Sequence, residues 1–174
     1  LESEMRLARA GGGVSACAVC DGALPIFRDQ PLAVVGGGDT AMEEAIYLTK
    51  FASKVHVIHR RDTLRASKVM QERFLSKPNA VVEWNKVVVD CLSDGKAGMD
   101  EKIRAIVLED TKTGERSELA VKGMFVAIGH TPTTKFLRDT TLKFDDKGYI
   151  VLDTRKSTTT IEGVFAAGDV ADAE

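Results

Sequence analysis

Residues 32–41 read Leu32-Ala33-Val34-Val35-Gly36-Gly37-Gly38-Asp39-Thr40-Ala41, and this stretch decides the fold. Its four leading apolar residues are typical of a buried parallel strand, and residues 40–50 carry apolar side chains at helical spacing. The turn between them fits G-x-G-x-x-A, which holds the pyrophosphate of a dinucleotide at a helix N-terminus. We therefore predict a dinucleotide site, the alternative being a glycine-rich turn without a ligand. The residues of this site are Gly36, Gly37, Gly38, Asp39, Thr40 and Ala41.

Alternating strands and helices continue after this turn. The pattern predicts a strand at residues 54–58, a helix at 65–76 that ends before Pro78, and a strand at 81–84. Strands and helices in this order form a doubly wound unit with right-handed crossovers. The expected core is therefore a parallel sheet flanked by helices.

The pattern changes in the second half of the chain. Three strand-like segments follow one another at residues 87–92, 102–109 and 116–121. The turn Thr111-Lys112-Thr113-Gly114 is typical of a hairpin, so these strands predict an antiparallel meander. The later segments are a strand at 123–128 that returns to the parallel sheet, a loop at 129–132, and strands at 148–151 and 163–169. The expected fold class is α/β: a Rossmann-like parallel sheet flanked by helices, with an inserted antiparallel β-meander.

Two cysteines separated by two residues lie just ahead of the first strand, in Cys17-Ala18-Val19-Cys20. Such a dithiol stores two electrons as a disulfide. Asp21 follows directly, and a carboxylate beside a thiolate can act as a general acid or base; the alternative is an Asp-Gly turn. The third cysteine, Cys91, ends an apolar run and is expected to be a buried small hydrophobe. Together with the dinucleotide turn, Cys17, Cys20 and Asp21 favour thiol–disulfide chemistry driven by a pyridine nucleotide.

The end of the second strand indicates which dinucleotide binds. An NAD site usually has an acidic residue about 20 residues past the glycines, which accepts from the ribose hydroxyls. Here that place holds His59, Arg60 and Arg61, with Arg65 shortly after them. Guanidinium groups bind phosphate in bidentate fashion, so we predict that this cluster favours NADPH over NADH. The alternative is a solvated basic turn, and Asp62 is expected to cap the next helix.

The composition argues against several other classes of protein. The 174 residues carry 24 basic and 26 acidic side chains, and the net charge of −2 argues against a general nucleic-acid binder. The apolar runs are strand-length, far below the ~20 residues that span a bilayer. Three cysteines do not make a secreted disulfide framework, and no histidine has ligand spacing to them, so no metal is expected. Residues 1–13 are expected to be a linker, with a short helix or coil at 1–10 and no core element.

Five motifs, in order along the chain, resemble those of low-molecular-weight, NADPH-dependent thioredoxin reductases of the bacterial and plant type. They lie at residues 15–22, 36–45, 59–67, 128–132 and 163–170. The resemblance implies an FAD domain split by an inserted NADPH domain. The NADPH domain with its redox site would be residues 14–128, and residues 129–174 would be a partial returning FAD-domain segment. It also implies an electron path from NADPH to FAD, then to the cysteine pair, and then to thioredoxin.

The same resemblance implies roles for individual residues. Cys20 would be the flavin-facing thiol, Cys17 the thiol that exchanges with thioredoxin, and Asp21 the acid. Asp169 would hydrogen-bond the ribitol or phosphate portion of FAD. The G-x-G-x-x-G with which the family grips FAD has no counterpart ahead of the dithiol. The chain is therefore expected to be a fragment that does not hold FAD tightly, and a monomer where the parent protein is a homodimer.

Two other functions remain open at this point. One is a non-catalytic NADPH-binding module whose cysteines are spectators, and the other is a related disulfide reductase flavoprotein of the peroxide-reducing type. Neither nucleic acid nor a membrane is expected as a partner. The expected location is the cytoplasm, with the mitochondrion or chloroplast as the alternative.

Overall fold

The computed structural model describes residues 1–95, 100–129, 132–153 and 156–171. The chain divides into two units, Leu1–Ile128 and Gly129–Glu174. The helices and strands of the first unit are, in order, α1 (Glu2–Arg9), β1 (Val14–Ser15), α2 (Ala18–Asp21), β2 (Pro31–Gly36), α3 (Asp39–Leu48), β3 (Lys54–His59), α4 (Lys68–Leu75), β4 (Ala80–Trp84), β5 (Lys86–Asp94), β6 (Lys102–Asp110), β7 (Arg116–Ala120) and β8 (Gly123–Ala127). Within the described ranges, no helix is long and apolar enough to cross a membrane.

Five parallel strands form the central sheet, in the order β1-β8-β2-β3-β4. Because β2 lies between β8 and β3, Val34 pairs with Phe125 on one side and with Val57 on the other. This sheet confirms the predicted doubly wound order and the predicted return of residues 123–128. The carboxyl ends of β2, β3 and β8 meet at one edge, which is where open parallel sheets bind ligands.

One face of the sheet is covered by α3 and α4. Burying a large apolar side chain contributes about 1.5–3 kcal/mol, so this layer supplies much of the stability that holds the two helices in place. Because α3 begins at the glycine turn, the same packing fixes that turn against the sheet. The fully buried side chains of this face include Leu32, Val34, Met42, Leu48, Val57 and Phe74.

The opposite face is covered by the antiparallel sheet β5-β6-β7 and by α1. This sheet confirms the predicted β-meander. The expectation that residues 1–10 hold no core element is wrong, because Leu7 is fully buried in this second core. Arg6 also pairs with the buried Glu101, with Nη2 2.9 Å from Oε1, and its hydrogen bond lowers the pKa of that carboxyl. The buried face of α1 consists of Ser3 and Leu7, whereas Met5 is exposed, so the apolar residues of the helix do not mark its buried face.

The second unit contains little regular structure. It has short 3₁₀ turns at Lys135–Leu137 and Gly168–Val170. The strands expected at 148–151 and 163–169 are wrong as strands: each is reduced to one isolated bridge, Phe144 to Ile150 and Thr158 to Phe165. A strand requires a partner over several residues, and neither segment has one among the described residues. His130 and Thr131 of the predicted loop lie outside the described residues.

Candidate dinucleotide and dithiol sites

Two of the three glycines in the turn are required by the packing of the protein itself. A Cβ added at Gly36 would collide with the carbonyl oxygen of Ala127 and lie 2.8 Å from the Cβ of Ala41. A Cβ added at Gly37 would collide with the imidazole ring of His59. These close approaches explain why the turn needs glycine at both positions and a small residue at Ala41.

Gly38 is different, because no neighbouring side chain explains it. Among the described residues, an added Cβ would meet only Nη2 of Arg65, at 4.0 Å. Its φ of −92° is open to any residue. Asp39 and Thr40, both exposed, begin α3 directly afterwards, so the unpaired amides and positive dipole end of a ten-residue helix lie at this place. Open space at a glycine beside a helix N-terminus fits the pyrophosphate of a dinucleotide.

His59 is the last residue of β3, and its side chain contacts the glycine turn. Its Nδ1 lies 3.1 Å from the carbonyl oxygen of Gly36, and its Nε2 lies 2.9 Å from that of Thr63. The residue is only 6% exposed. The sequence predicted His59 as a cofactor ligand, whereas the structure places both of its ring nitrogens against backbone carbonyls.

The segment that carries the arginines is docked on the glycine turn by backbone hydrogen bonds. The amides of Arg65 and Ala66 both donate to the carbonyl oxygen of Gly37, at 2.7 and 3.0 Å. The amide and hydroxyl of Ser67 both donate to Oδ1 of Asp39, at 2.8 and 3.0 Å. The arginine segment and the glycine turn are therefore held together by four hydrogen bonds.

The predicted role of Asp62 as a helix cap is wrong. α4 begins at Lys68, and its N-cap residue is Ser67. Asp62 lies in the loop well before that helix and pairs with Lys112, whose Nζ is 3.2 Å from Oδ2. This hydrogen bond from Lys112 lowers the pKa of the Asp62 carboxyl. Because a loop separates the end of β3 at His59 from the start of α4 at Lys68, Asp62 lies too far ahead of α4 to cap it.

A cavity of about 440 Å³ opens beside this turn, at the carboxyl ends of β2, β3 and β8. That volume lies within the range of small-molecule and cofactor sites. Cationic side chains on one part of its wall suit phosphate, and apolar side chains on another suit a planar ring. Lys86, which begins β5, is a lining residue that the sequence did not single out. The cationic lining is Arg60, Arg61, Arg65 and Lys86, with His59 beside them and Glu4 as an acidic lining residue, and the apolar lining includes Val35, Ile58, Val88, Met124 and Val126.

Cys17 and Cys20 form a disulfide, with their Cα atoms 5.3 Å apart. Cys17 is the N-cap of α2, and its Sγ accepts a hydrogen bond from the amide of Cys20 at 3.2 Å. Cys20 is exposed and Cys17 is half-buried. Ala18, between them, is fully buried in the core that includes α3. The two predicted cysteines are therefore brought together at a short helix in the same core as α3.

Asp21 is connected to Cys17 through a serine that the sequence analysis did not single out as a site residue. The hydroxyl of Ser15 donates to Oδ2 of Asp21 at 2.6 Å and accepts from the amide of Cys17 at 3.0 Å. This chain of hydrogen bonds orients the carboxylate at the end of α2. Gly22 is the C-cap of the same helix and donates to the carbonyl oxygen of Ala18 at 2.7 Å.

A second carboxyl lies next to the dithiol helix and was also missed. Burial raises the pKa of Glu44, on α3, and a hydrogen bond from the amide of Ala18 opposes that increase. Its Oε2 is buried and has no hydrogen-bond partner in the described part of the chain. The pattern of α3 places Glu44 among apolar neighbours, but no periodicity distinguishes a half-buried glutamate from an exposed one.

Two further residues singled out in the sequence are Asp169, in the second unit, and Cys91, in β5. Asp169 is exposed in the 3₁₀ turn of the second unit. Cys91 is a free thiol and is only 3% exposed, which confirms the expected buried hydrophobe; burial raises its pKa to about 11. Over the described ranges, no group of three or more His, Cys, Asp or Glu residues could hold a metal ion.

Comparisons with known proteins identify the family. The model for "Pyridine nucleotide-disulphide oxidoreductase" matches residues 4–174. Over 160 residues the chain is 54% identical to "Thioredoxin reductase 1, mitochondrial" of Arabidopsis thaliana, and the match covers 92% of this chain and 42% of that protein. Over 160 residues it is 51% identical to "Thioredoxin reductase" of Yarrowia lipolytica, and the match covers 92% of this chain and 48% of that protein. The crystal structure of thioredoxin reductase from Streptococcus pyogenes has a TM-score of 0.80 and 43% identity, and the match covers 99% of this chain and 53% of that one.

The chain thus spans about half the length of the relatives that it matches. The resemblance that the five motifs predicted is confirmed by these comparisons. The chain belongs to the pyridine nucleotide-disulphide oxidoreductase family.

Proposed function

We propose that this chain is the NADPH-binding and dithiol redox part of a flavin-dependent thioredoxin reductase. One observation carries the proposal: within the first unit, the disulfide helix α2 and the nucleotide helix α3 share one core. When bound, NADPH would supply a hydride and FAD would relay its two electrons, and the Cys17–Cys20 disulfide of this chain would accept those electrons before thioredoxin does. The names of the similar proteins support this reading over a peroxide-reducing flavoprotein or a module with spectator cysteines.

The choice of NADPH rests on the charges around the cavity. Arg60, Arg61 and Arg65 all line it, and guanidinium groups bind the 2′-phosphate better than any other side chain. The nearest carboxylate along the chain, Asp62, is paired with Lys112. At the end of β3, where an NAD site usually has an acidic residue, the described residues place Arg60 and Arg61 instead, and the carboxylate that lines the cavity is that of Glu4 on α1.

The roles of the two thiols rest on the family resemblance. Reduction adds two electrons and two protons to the disulfide and gives two thiols. Cys17 then attacks a sulfur of the thioredoxin disulfide as a thiolate, and Cys20 resolves the mixed disulfide and restores the Cys17–Cys20 bond. Asp21, held by Ser15 at 2.6 Å, is the carboxylate that exchanges protons with these sulfurs.

A protein substrate is supported by the surface around the disulfide. Three apolar side chains within six residues of Cys20 along the chain are exposed to solvent: Val19 is 68%, Leu24 44% and Ile26 47% exposed. Exposed apolar patches mark protein interaction sites. A small disulfide would leave this surface in water, whereas a folded partner such as thioredoxin would cover it.

The proposed role of Asp169, a hydrogen bond to FAD, rests on the family resemblance alone. Homodimerisation of the whole protein also stays a prediction. The cytoplasmic location stays a prediction as well, with the mitochondrion or chloroplast as the alternative; the similar Arabidopsis protein is named as mitochondrial.

Thiol exchange with an activated thioredoxin tests the proposed function. A thioredoxin that keeps one active-site cysteine is linked to thionitrobenzoate, and attack by the chain releases that yellow thiolate while the new mixed disulfide forms. The Cys20→Ser chain, which retains Cys17, should release it faster than the matched Cys17→Ser chain. The preference for Cys17 should shrink when glutathione carries the thionitrobenzoate instead. Equal, slow release by both variants, with no preference for thioredoxin over glutathione, contradicts the proposal.

A further inference from the structure

Asp39 is a carboxylate in an unfavourable place for an anion site. It is the first residue of α3 and follows Gly38, beside which the pyrophosphate is proposed to bind. A negative charge there repels the phosphates of any dinucleotide. The helix N-terminus stabilises this carboxylate in the free protein, and the carboxylate also makes a contact outside its own helix.

That contact is with the start of the next helix. Oδ1 of Asp39 accepts both the amide and the hydroxyl of Ser67, at 2.8 and 3.0 Å. Ser67 is the N-cap residue of α4, and its side chain makes no capping hydrogen bond to its own helix within the described residues. Asp39, on α3, thus accepts hydrogen bonds from the residue that precedes α4. The position of Asp39 in the sequence does not indicate this contact.

The residues just before Ser67 are held by the same turn. The amides of Arg65 and Ala66 donate to the carbonyl oxygen of Gly37, at 2.7 and 3.0 Å. We call these four hydrogen bonds, from Arg65, Ala66 and Ser67 to Gly37 and Asp39, the clasp. The clasp fixes the backbone of Arg65 against the glycine turn. The Nη2 atom of Arg65 lies 4.0 Å from the position that a Cβ would occupy on residue 38.

We propose that Asp39 is a positioning residue: through the clasp it holds Arg65 over the glycine turn and so strengthens the selection of NADPH over NADH. This inference rests on the proposed NADPH site. The clasp has two acceptors, the backbone carbonyl of Gly37 and the side chain of Asp39. Of these two, only Asp39 can be changed by a side-chain substitution. The acceptor atom, not the negative charge, is what the clasp needs.

Two substitutions separate the acceptor from the charge. Asp39→Asn keeps an oxygen that can accept from Ser67 and removes the negative charge that repels the phosphates. Asp39→Ala removes both. Ser67→Ala is a matched variant on the other side of the contact, since it deletes the hydroxyl and keeps the amide.

Calorimetric titration of each purified chain with NADPH and with NADH measures the effect. Asp39→Ala should lower the ratio of NADPH affinity to NADH affinity about tenfold, because Arg65 is then less well held, whereas the lost negative charge acts on the pyrophosphate of both cofactors alike. Asp39→Asn should retain the preference for NADPH, and Ser67→Ala should lose part of it. An unchanged NADPH-to-NADH ratio in Asp39→Ala, or an equal loss in Asp39→Asn, overturns the proposal.

Hydrogen exchange at the Ser67 amide, measured without nucleotide, reads the clasp independently of the proposed function. Exchange should be slow in the wild type and in Asp39→Asn, and faster in Asp39→Ala. Equal exchange in all three chains overturns the proposal. If Asp39→Ala folds poorly, the titration of Ser67→Ala carries the test, and an unchanged NADPH-to-NADH ratio in that variant overturns the proposal. A wild-type chain that binds neither dinucleotide, with the exchange pattern intact, would refute the NADPH site and leave the clasp standing.

Discussion

A methyl group added at Gly38 should abolish dinucleotide binding while the fold stays intact. Among the described residues a Cβ there meets only Nη2 of Arg65, at 4.0 Å. The free energy of unfolding should therefore fall only by the small difference between glycine and alanine as an N-cap, below about 1 kcal/mol. The methyl fills the space through which the pyrophosphate reaches the backbone. Losing two charge-assisted hydrogen bonds of roughly 1.5–3 kcal/mol each weakens binding by at least about a hundredfold.

Gly37→Ala is the matched control for that variant. A Cβ there collides with the ring of His59, which is 6% exposed and held by two backbone carbonyls. Overpacking of this kind costs about 1–3 kcal/mol, so Gly37→Ala should lower the free energy of unfolding. Urea unfolding and titration with NADPH, applied to both variants, separate stability from binding. A Gly38→Ala chain that binds NADPH within about threefold of the wild type refutes the glycine turn as the pyrophosphate site.

Three further results are expected. Replacing Arg60 and Arg61 by glutamine should weaken NADPH binding by about tenfold or more and leave NADH binding nearly unchanged; equal losses for both cofactors in a titration contradict the 2′-phosphate assignment. With its pKa raised to about 11 by burial, the Cys91 thiol should resist a thiol reagent at pH 8 in the folded chain and react fully in denaturant; rapid labelling of the folded chain contradicts its burial. Hydrogen bonds from Lys86 and from two turn amides lower the pKa of Asp110 to about 2, below its ordinary 3.8. Because the folded pKa is depressed, this carboxylate should stabilise the fold above about pH 4 and lose that effect as the pH falls toward 2. The difference in unfolding midpoint between wild type and Asp110→Asn should therefore shrink with acid, and a difference that grows contradicts the assignment.

The parallel sheet could be predicted because its signal is local. Residues 32–35 form a fully apolar run, and the helix after them has the spacing that buries one face against a sheet. The meander was equally readable, since the turn at residues 111–114 fixes where two of its strands meet. The glycine turn could be predicted from its motif alone. Among the described residues, no packing contact explains why residue 38 is glycine, so a ligand is the remaining reason for it.

Other features depend on contacts between distant residues and left no local pattern. β1 has two residues, Val14 and Ser15, and exists because it pairs with β8. Leu7 is buried by the meander, which lies far along the chain. Asp39 appeared in the sequence as a cofactor ligand because it follows the glycines, but its contact with Ser67 spans 28 residues. Such contacts follow only from the folded arrangement of α3 and α4.

Calorimetric titration of the purified wild-type chain with NADPH and with NADH tests the central claim most directly. That claim is that the glycine turn and the cluster of Arg60, Arg61 and Arg65 form an NADPH site in the same core as the Cys17–Cys20 disulfide. We expect one NADPH per chain, bound at least about tenfold more tightly than NADH. Equal affinities for the two cofactors, or no binding of either, would contradict it.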